Sequence, residues 1–152
     1  MDAKNLTPTP STSLDVVAQY STALASGDSE MMKSLRADEC ILDIVTRDAF
    51  GTEPLSCEET GDFWTAWFDG FPEMDYEVTR TIASQEVVVT QWTFIGTNNG
   101  PVPPILDTVQ GPTGRTIRLR GVSIYDIEDG LIKRETNYMD LGTLLVELGI
   151  EL

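Results

Sequence analysis

The chain has 152 residues, 41% of them apolar, which is enough for one domain with a single core and too apolar for disorder. Its 25 acidic and 10 basic residues give a formal charge of −15, which argues against nucleic acid and anionic membrane surfaces as partners. Histidine is absent, which rules out Ser-His-Asp and Cys-His nucleophile systems and histidine-based zinc sites.

Residues 1–12 are polar and carry Pro8 and Pro10, so they read as a loose arm ahead of a single domain over 13–152. No apolar signal segment is visible in Met1 to Leu14, and no run approaches membrane-spanning length. Ser13 or Asp15 is placed to cap a helix reaching about Ser26, with Leu14, Val17, Ala18 and Leu24 near one face and Tyr20 on its flank. Gly27-Asp28 ends that helix, and Asp28 or Ser29 starts a short second one. Cys40 to about Thr46 reads as a strand. Cys40 and Cys57 form no CxxC pair; two cysteines in a chain of this size suggest free thiols and a cytoplasmic setting, with a Cys40–Cys57 disulfide as the alternative.

Ser56 and Glu59 have the spacing of a capping box, and Phe63, Trp64, Trp67 and Phe68 then form an apolar helical stripe up to Gly70 and Pro72. Strands are expected over Asp75–Ala83, Val87–Thr97, Thr116–Ile127 and Leu131–Met139, the last two joined at Asp129-Gly130. Between them, Asn98–Gly114 is a long Gly- and Pro-rich loop whose first part reads as a rim or lid. Leu141–Leu148 is a closing helix ended by Gly149, with Asp140 placed to cap it. The order α-α-β-α-β-β-β-β-α predicts an α+β fold with one curved antiparallel or mixed sheet and helices laid into its concave side.

The segments FDGFPEMDYEV, QWTFIGTNNG, PTGRTIRLRGVSIYDIEDGLI and NYMDLGTLLVELGI resemble the SnoaL-like polyketide cyclase family. That family belongs to the NTF2-like superfamily, which also holds ketosteroid isomerase. The likeness runs from about Leu14 to Ile150 and is most specific at Gly96-Thr97, Gly100, Pro112-Thr113-Gly114-Arg115 and Asp129-Gly130. It implies a cone-shaped α+β barrel of NTF2-like form, a homodimer through the sheet, and a pocket for a small apolar molecule. The family's histidine in its Gly-Thr-His block corresponds here to Asn98, and its His-Trp-Asp run corresponds to Glu135-Thr136-Asn137. The base strand of ketosteroid isomerase aligns with Ile44, one place from Asp43.

By the family pattern Lys133, Glu135, Asn137 and Met139 face the pocket. The expected catalytic set is then Glu135 as base, with Asn137 and Asn98 donating to an enolate oxygen. Tyr20, Asp43, Trp64, Phe68, Trp92, Phe94, Met139 and Asp140 are the candidate pocket residues. Asp140 has capping as its competing role, and Asp43 an outward-facing one. Arg118 and Arg120 are expected on the convex face. The function expected is a cyclase or isomerase that needs no cofactor and removes a proton beside a carbonyl; a non-catalytic ligand-binding or dimerising module is the alternative.

Overall fold

The computed structural model describes residues 12–45, 53–106 and 108–151. All of the expected loose arm except Thr12 lies outside that range, as does Thr46, the expected end of the first strand. The described elements are α1 (Ser13–Ser26), α2 (Ser29–Ser34), β1 (Arg36–Val45), α3 (Cys57–Gly70), β2 (Glu73–Ala83), β3 (Val87–Thr97), β4 (Thr116–Glu128), β5 (Leu131–Met139) and α4 (Leu141–Glu147).

Helix ends follow local chemistry. Thr12, rather than Ser13 or Asp15, caps α1: its hydroxyl accepts from Asp15 N at 3.1 Å, and Asp15 returns the bond to the Thr12 amide. Ser13 sits inside the helix, where its hydroxyl donates to Ser84 O across the fold. Asp28 caps α2, and Ser56 with Glu59 makes the capping box of α3.

The five strands form one sheet in the order β1-β5-β4-β3-β2. β1 runs parallel to β5, and the other neighbours are antiparallel. The sheet is therefore mixed and open, with β1 and β2 at its edges. This is the expected NTF2-like α+β architecture. β1 begins at Arg36, four residues earlier than its apolar run suggests, because the irregular stretch between Arg36 and Ile41 still pairs with β5.

Alternation divides each central strand between two faces. In β3 the residues Val88, Thr90, Trp92 and Phe94 are buried, and in β4 Ile117, Leu119, Ser123 and Tyr125 are buried. These meet Val16, Val17 and Tyr20 of α1, Trp64 and Trp67 of α3 and Leu144 of α4 in one core. Gly121 is required for this packing: a Cβ there would stand 2.1 Å from the Trp92 ring, its cross-strand partner.

The long loop before β4 packs on the body of the fold. It turns back on the end of α3, where Gly100 lies so close that a Cβ would sit 1.8 Å from Asp69 O. Leu106, in a short 3-10 turn at Pro104–Leu106, and Val109 drop into the core.

Cys40 and Cys57 are joined in a disulfide, which overturns the reading of free thiols and removes that support for a cytoplasmic setting. The bridge ties β1 to the first residue of α3. Among the described residues no helix is long and apolar enough to cross a membrane. Closing a loop across a separation of 17 residues stabilises a fold by roughly 3 kcal/mol through restriction of the unfolded chain. Reduction with dithiothreitol is therefore expected to lower the thermal midpoint by about 6–12 °C in a melting curve, and Cys40→Ser to reproduce that shift without reductant.

Candidate functional site

The inward row of β5 carries two polar side chains into the apolar concavity. Glu135 is 3% exposed and Asn137 is 4% exposed. The register sets Glu135 between Leu42 of β1 and Tyr125 of β4, and Asn137 between Ile44 and Ser123. Asn137 Nδ2 donates to Glu135 Oε2 at 3.4 Å, a long bond, whereas Glu135 Oε1 and Asn137 Oδ1 have no partner among the described residues.

Two further groups approach Glu135 from other elements. Arg36, at the start of β1, donates from Nη1 to the Tyr20 hydroxyl of α1 at 3.1 Å. Burial of the carboxyl pushes the Glu135 pKa up to about 7, against the opposing pull of the Asn137 amide, the Arg36 guanidinium and the Tyr20 hydroxyl. Tyr20 exerts this pull from outside ordinary hydrogen-bond geometry, since Oε1 stays unpartnered. Tyr20, Tyr76 and Tyr125 are all driven above the normal phenol range, first by burial and then by the Glu135 charge. They remain neutral donors.

A small cavity opens beside Asn137. Its walls are Trp64, Trp67 and Phe63 of α3, Trp92 and Phe94 of β3, and Tyr76 of β2, with Leu24 and Met139 completing them. Trp92 is held in place by a 2.9 Å bond from Nε1 to Ser123 Oγ. Trp64 Nε1 is buried and has no acceptor. The cavity volume is about 20 Å³, room for a single water, so a larger guest requires side chains to move.

The other expected site residues lie elsewhere. Asn98 is fully buried but is committed to the loop: Nδ2 donates to Gly70 O at 2.9 Å and Gly100 O at 3.1 Å, and Oδ1 accepts from Thr113 N at 2.8 Å and Thr113 Oγ1 at 3.0 Å. Both amide protons are spent, so Asn98 is not an oxyanion donor. Asp43 points to the opposite face of the sheet, where it pairs with Arg134 at 2.8 Å. Asp140 is exposed and caps α4 by accepting from Thr143 N at 3.1 Å. Phe68 stacks on Trp64 with ring centroids 5.9 Å apart, outside the cavity wall. Lys133 reaches Glu39 at 3.8 Å on the surface.

Sequence reasoning missed Arg36, Tyr76 and Tyr125. Tyr125 shares the inward parity of Ser123, a signal available once β4 is phased. Arg36 gave none, since it precedes the apolar run that marks β1.

A profile of the SnoaL-like domain matches residues 17–135. Among solved structures, a SnoaL-like polyketide cyclase candidate from Jannaschia sp. CCS1 is 16% identical, with a TM-score of 0.78 over 96% of this chain and 99% of that one. A phenazine biosynthesis-related protein of Pseudomonas aeruginosa is 14% identical, with a TM-score of 0.74 over 91% and 86% of the two chains. IdmH of Streptomyces antibioticus is 25% identical, with a TM-score of 0.69 over 90% and 98%. No curated protein matches the sequence.

Two outcomes follow from this geometry. Between the ordinary Glu value of 4.5 and about 7 the folded protein binds more protons than the unfolded chain. The Glu135 contribution therefore favours the fold below pH 4.5 and is lost as pH rises through 7. Glu135→Gln is expected to melt above wild type at pH 8, with the gap shrinking towards pH 5. Asn98→Ala is expected to cost about 3 kcal/mol in a denaturant titration, because it strands buried backbone groups of the loop and of α3.

Proposed function

This chain belongs to the SnoaL-like family, and we propose that it removes a proton beside the carbonyl of a small apolar substrate, without a cofactor, and stabilises the enolate for ring closure or isomerisation. The observation that carries this reading is the Glu135 carboxylate, buried among aromatic rings with one oxygen unpartnered. Each role has a physical basis. A base titrating near neutrality is ionised in part of the population at pH 7 and gains a proton readily. An enolate oxygen placed beside Asn137 receives its Nδ2 protons, and Trp64, whose Nε1–H has no acceptor of normal geometry, lines the same cavity. Leaving Glu135 for a substrate oxygen removes only a 3.4 Å bond from Asn137. The aromatic walls exclude water from the anion.

Exchange of the α-protons of a small cyclic ketone into deuterated water, followed by NMR, tests the base. Wild type is expected to catalyse it with a rate that rises with pH through about 7. Glu135→Gln is expected to lose about 100-fold or more, and Asn98→Ala to keep the rate. Dinitrophenolate, an anion shaped like an enolate, supplies the binding counterpart. Its affinity is expected to fall as pH rises through the same range, because the ionised Glu135 repels it; in Glu135→Gln the affinity becomes flat with pH.

The narrowness of the cavity favours a second reading, a non-catalytic module that holds a small ligand. Ligand binding with no exchange above the Glu135→Gln level selects it. In either case we propose a homodimer through the outer sheet face, where Val89, Val122, Ile124 and Tyr138 point away from the core. Light scattering at micromolar concentration is expected to give twice the chain mass, and Ile124→Asp to give the monomer.

A further inference from the structure

The cavity beside Asn137 has room for a single water until its walls move, so a substrate with a long arm needs further space elsewhere. A groove of about 500 Å³ runs between α1 and the β2 edge, a volume typical of small-molecule sites. Val17, Ala18 and Ala25 of α1 and Val78 of β2 give it an apolar lining. Tyr76 lines both spaces, so its ring is the partition between groove and cavity. That ring leans on Trp92 with centroids 5.7 Å apart and stands on an edge strand.

The groove floor is polar at one place. Thr90 is 1% exposed; the Tyr76 hydroxyl stands near its Oγ1 without completing a hydrogen bond of normal geometry, and Ser21 Oγ on the α1 wall is unpartnered among the described residues. A buried hydroxyl without a partner is costly unless something arrives to meet it. Thr90 pairs across the sheet with Ser123, and Ser123 with Asn137, so one inward row of polar side chains leads from the groove floor to the Glu135 pair.

We propose that this groove binds the distal arm of the substrate, with Tyr76 as the gate that swings aside to join it to the cavity. The occupant is an elongated, uncharged carbonyl compound with an oxygen substituent on its arm. Its reacting carbonyl lies at Asn137, and the oxygen meets Thr90. An anionic arm is disfavoured, because the groove holds Glu77 and no lysine or arginine. This inference rests on the preceding reading of Glu135 and Asn137 as the reacting centre.

A series of 4-alkylphenols, from phenol itself to hexylphenol, tests it by calorimetry. In wild type the affinity is expected to rise about threefold for each methylene, as the chain leaves water for the groove. Ala18→Trp fills the groove from an exposed helix position, and Thr22→Trp does so one turn further on. Either is expected to abolish the gain with chain length and leave the affinity for phenol within twofold of wild type. Thr90→Val is expected to weaken a phenol whose chain carries a hydroxyl and to spare the plain alkyl series. If the chain-length gain survives in both tryptophan variants, the groove is not the site, while the reacting centre stands. If phenol fails to bind the wild type, the reading of the reacting centre fails and takes the groove with it.

Discussion

A carboxylate held away from water needs either a counter-charge or a proton, and Glu135 is given an incomplete version of each. Arg36 is close enough to favour its anion, yet among the described residues its hydrogen bond goes to Tyr20 rather than to the carboxylate. Asn137 offers a long bond to one oxygen, and no described residue completes a hydrogen bond to the other. Had Arg36 paired with Glu135 directly, the carboxyl would be locked as an anion and useless near neutrality. Had no cation been present, burial alone would drive the pKa higher still. The intermediate position is burial opposed by the Asn137 amide, the Arg36 charge and the Tyr20 hydroxyl.

That balance depends on strand phase. β5 pairs with β1 on one side and β4 on the other, so its inward row is fixed by two registers at once. A slip of one residue would exchange Glu135 and Asn137 for Arg134 and Thr136 and bury the surface ion pair with Asp43. The same parity explains why Asp43, one position from Ile44, belongs to the outer face. Gly121 and Trp92 then set the other wall: the glycine makes room for the indole, and Ser123 holds its nitrogen. The shape of the cavity is thus written in β3, β4 and β5 together.

Much of this was legible in the sequence, and the failures have physical causes. β3 and β5 were readable to the residue because β3 has a clear apolar alternation up to the Gly- and Pro-rich loop, and β5 lies between the Asp129-Gly130 turn and the Asp140 helix cap. Glu135 and Asn137 were legible as a pair through alternation and family pattern combined. Asn98 misled because its family position marks catalysis, whereas an amide there has four hydrogen-bonding places, and the end of α3 and the loop fill them all. The disulfide was hidden because its two cysteines sit on different elements, and only tertiary packing brings β1 against the start of α3. Arg36 was hidden because a buried arginine has no periodic signature.

The closed cavity and the open groove are parts of one arrangement. α1 supplies Tyr20 to the Glu135 site and Val17, Ala18 and Ala25 to the groove, so one helix borders both. β2 is an edge strand, and its inward row of Met74, Tyr76 and Val78 is only partly buried. An edge strand yields more easily than a central one, having a neighbour on one side only. The disulfide acts at the opposite edge, where it fixes α3 to β1. The β2 edge therefore has no such brace, while Arg36 and Glu135 lie on the β1–β5 side that the disulfide holds, with Tyr20 reaching them from α1. A guest entering past Tyr76 meets a reacting centre whose charges are already set.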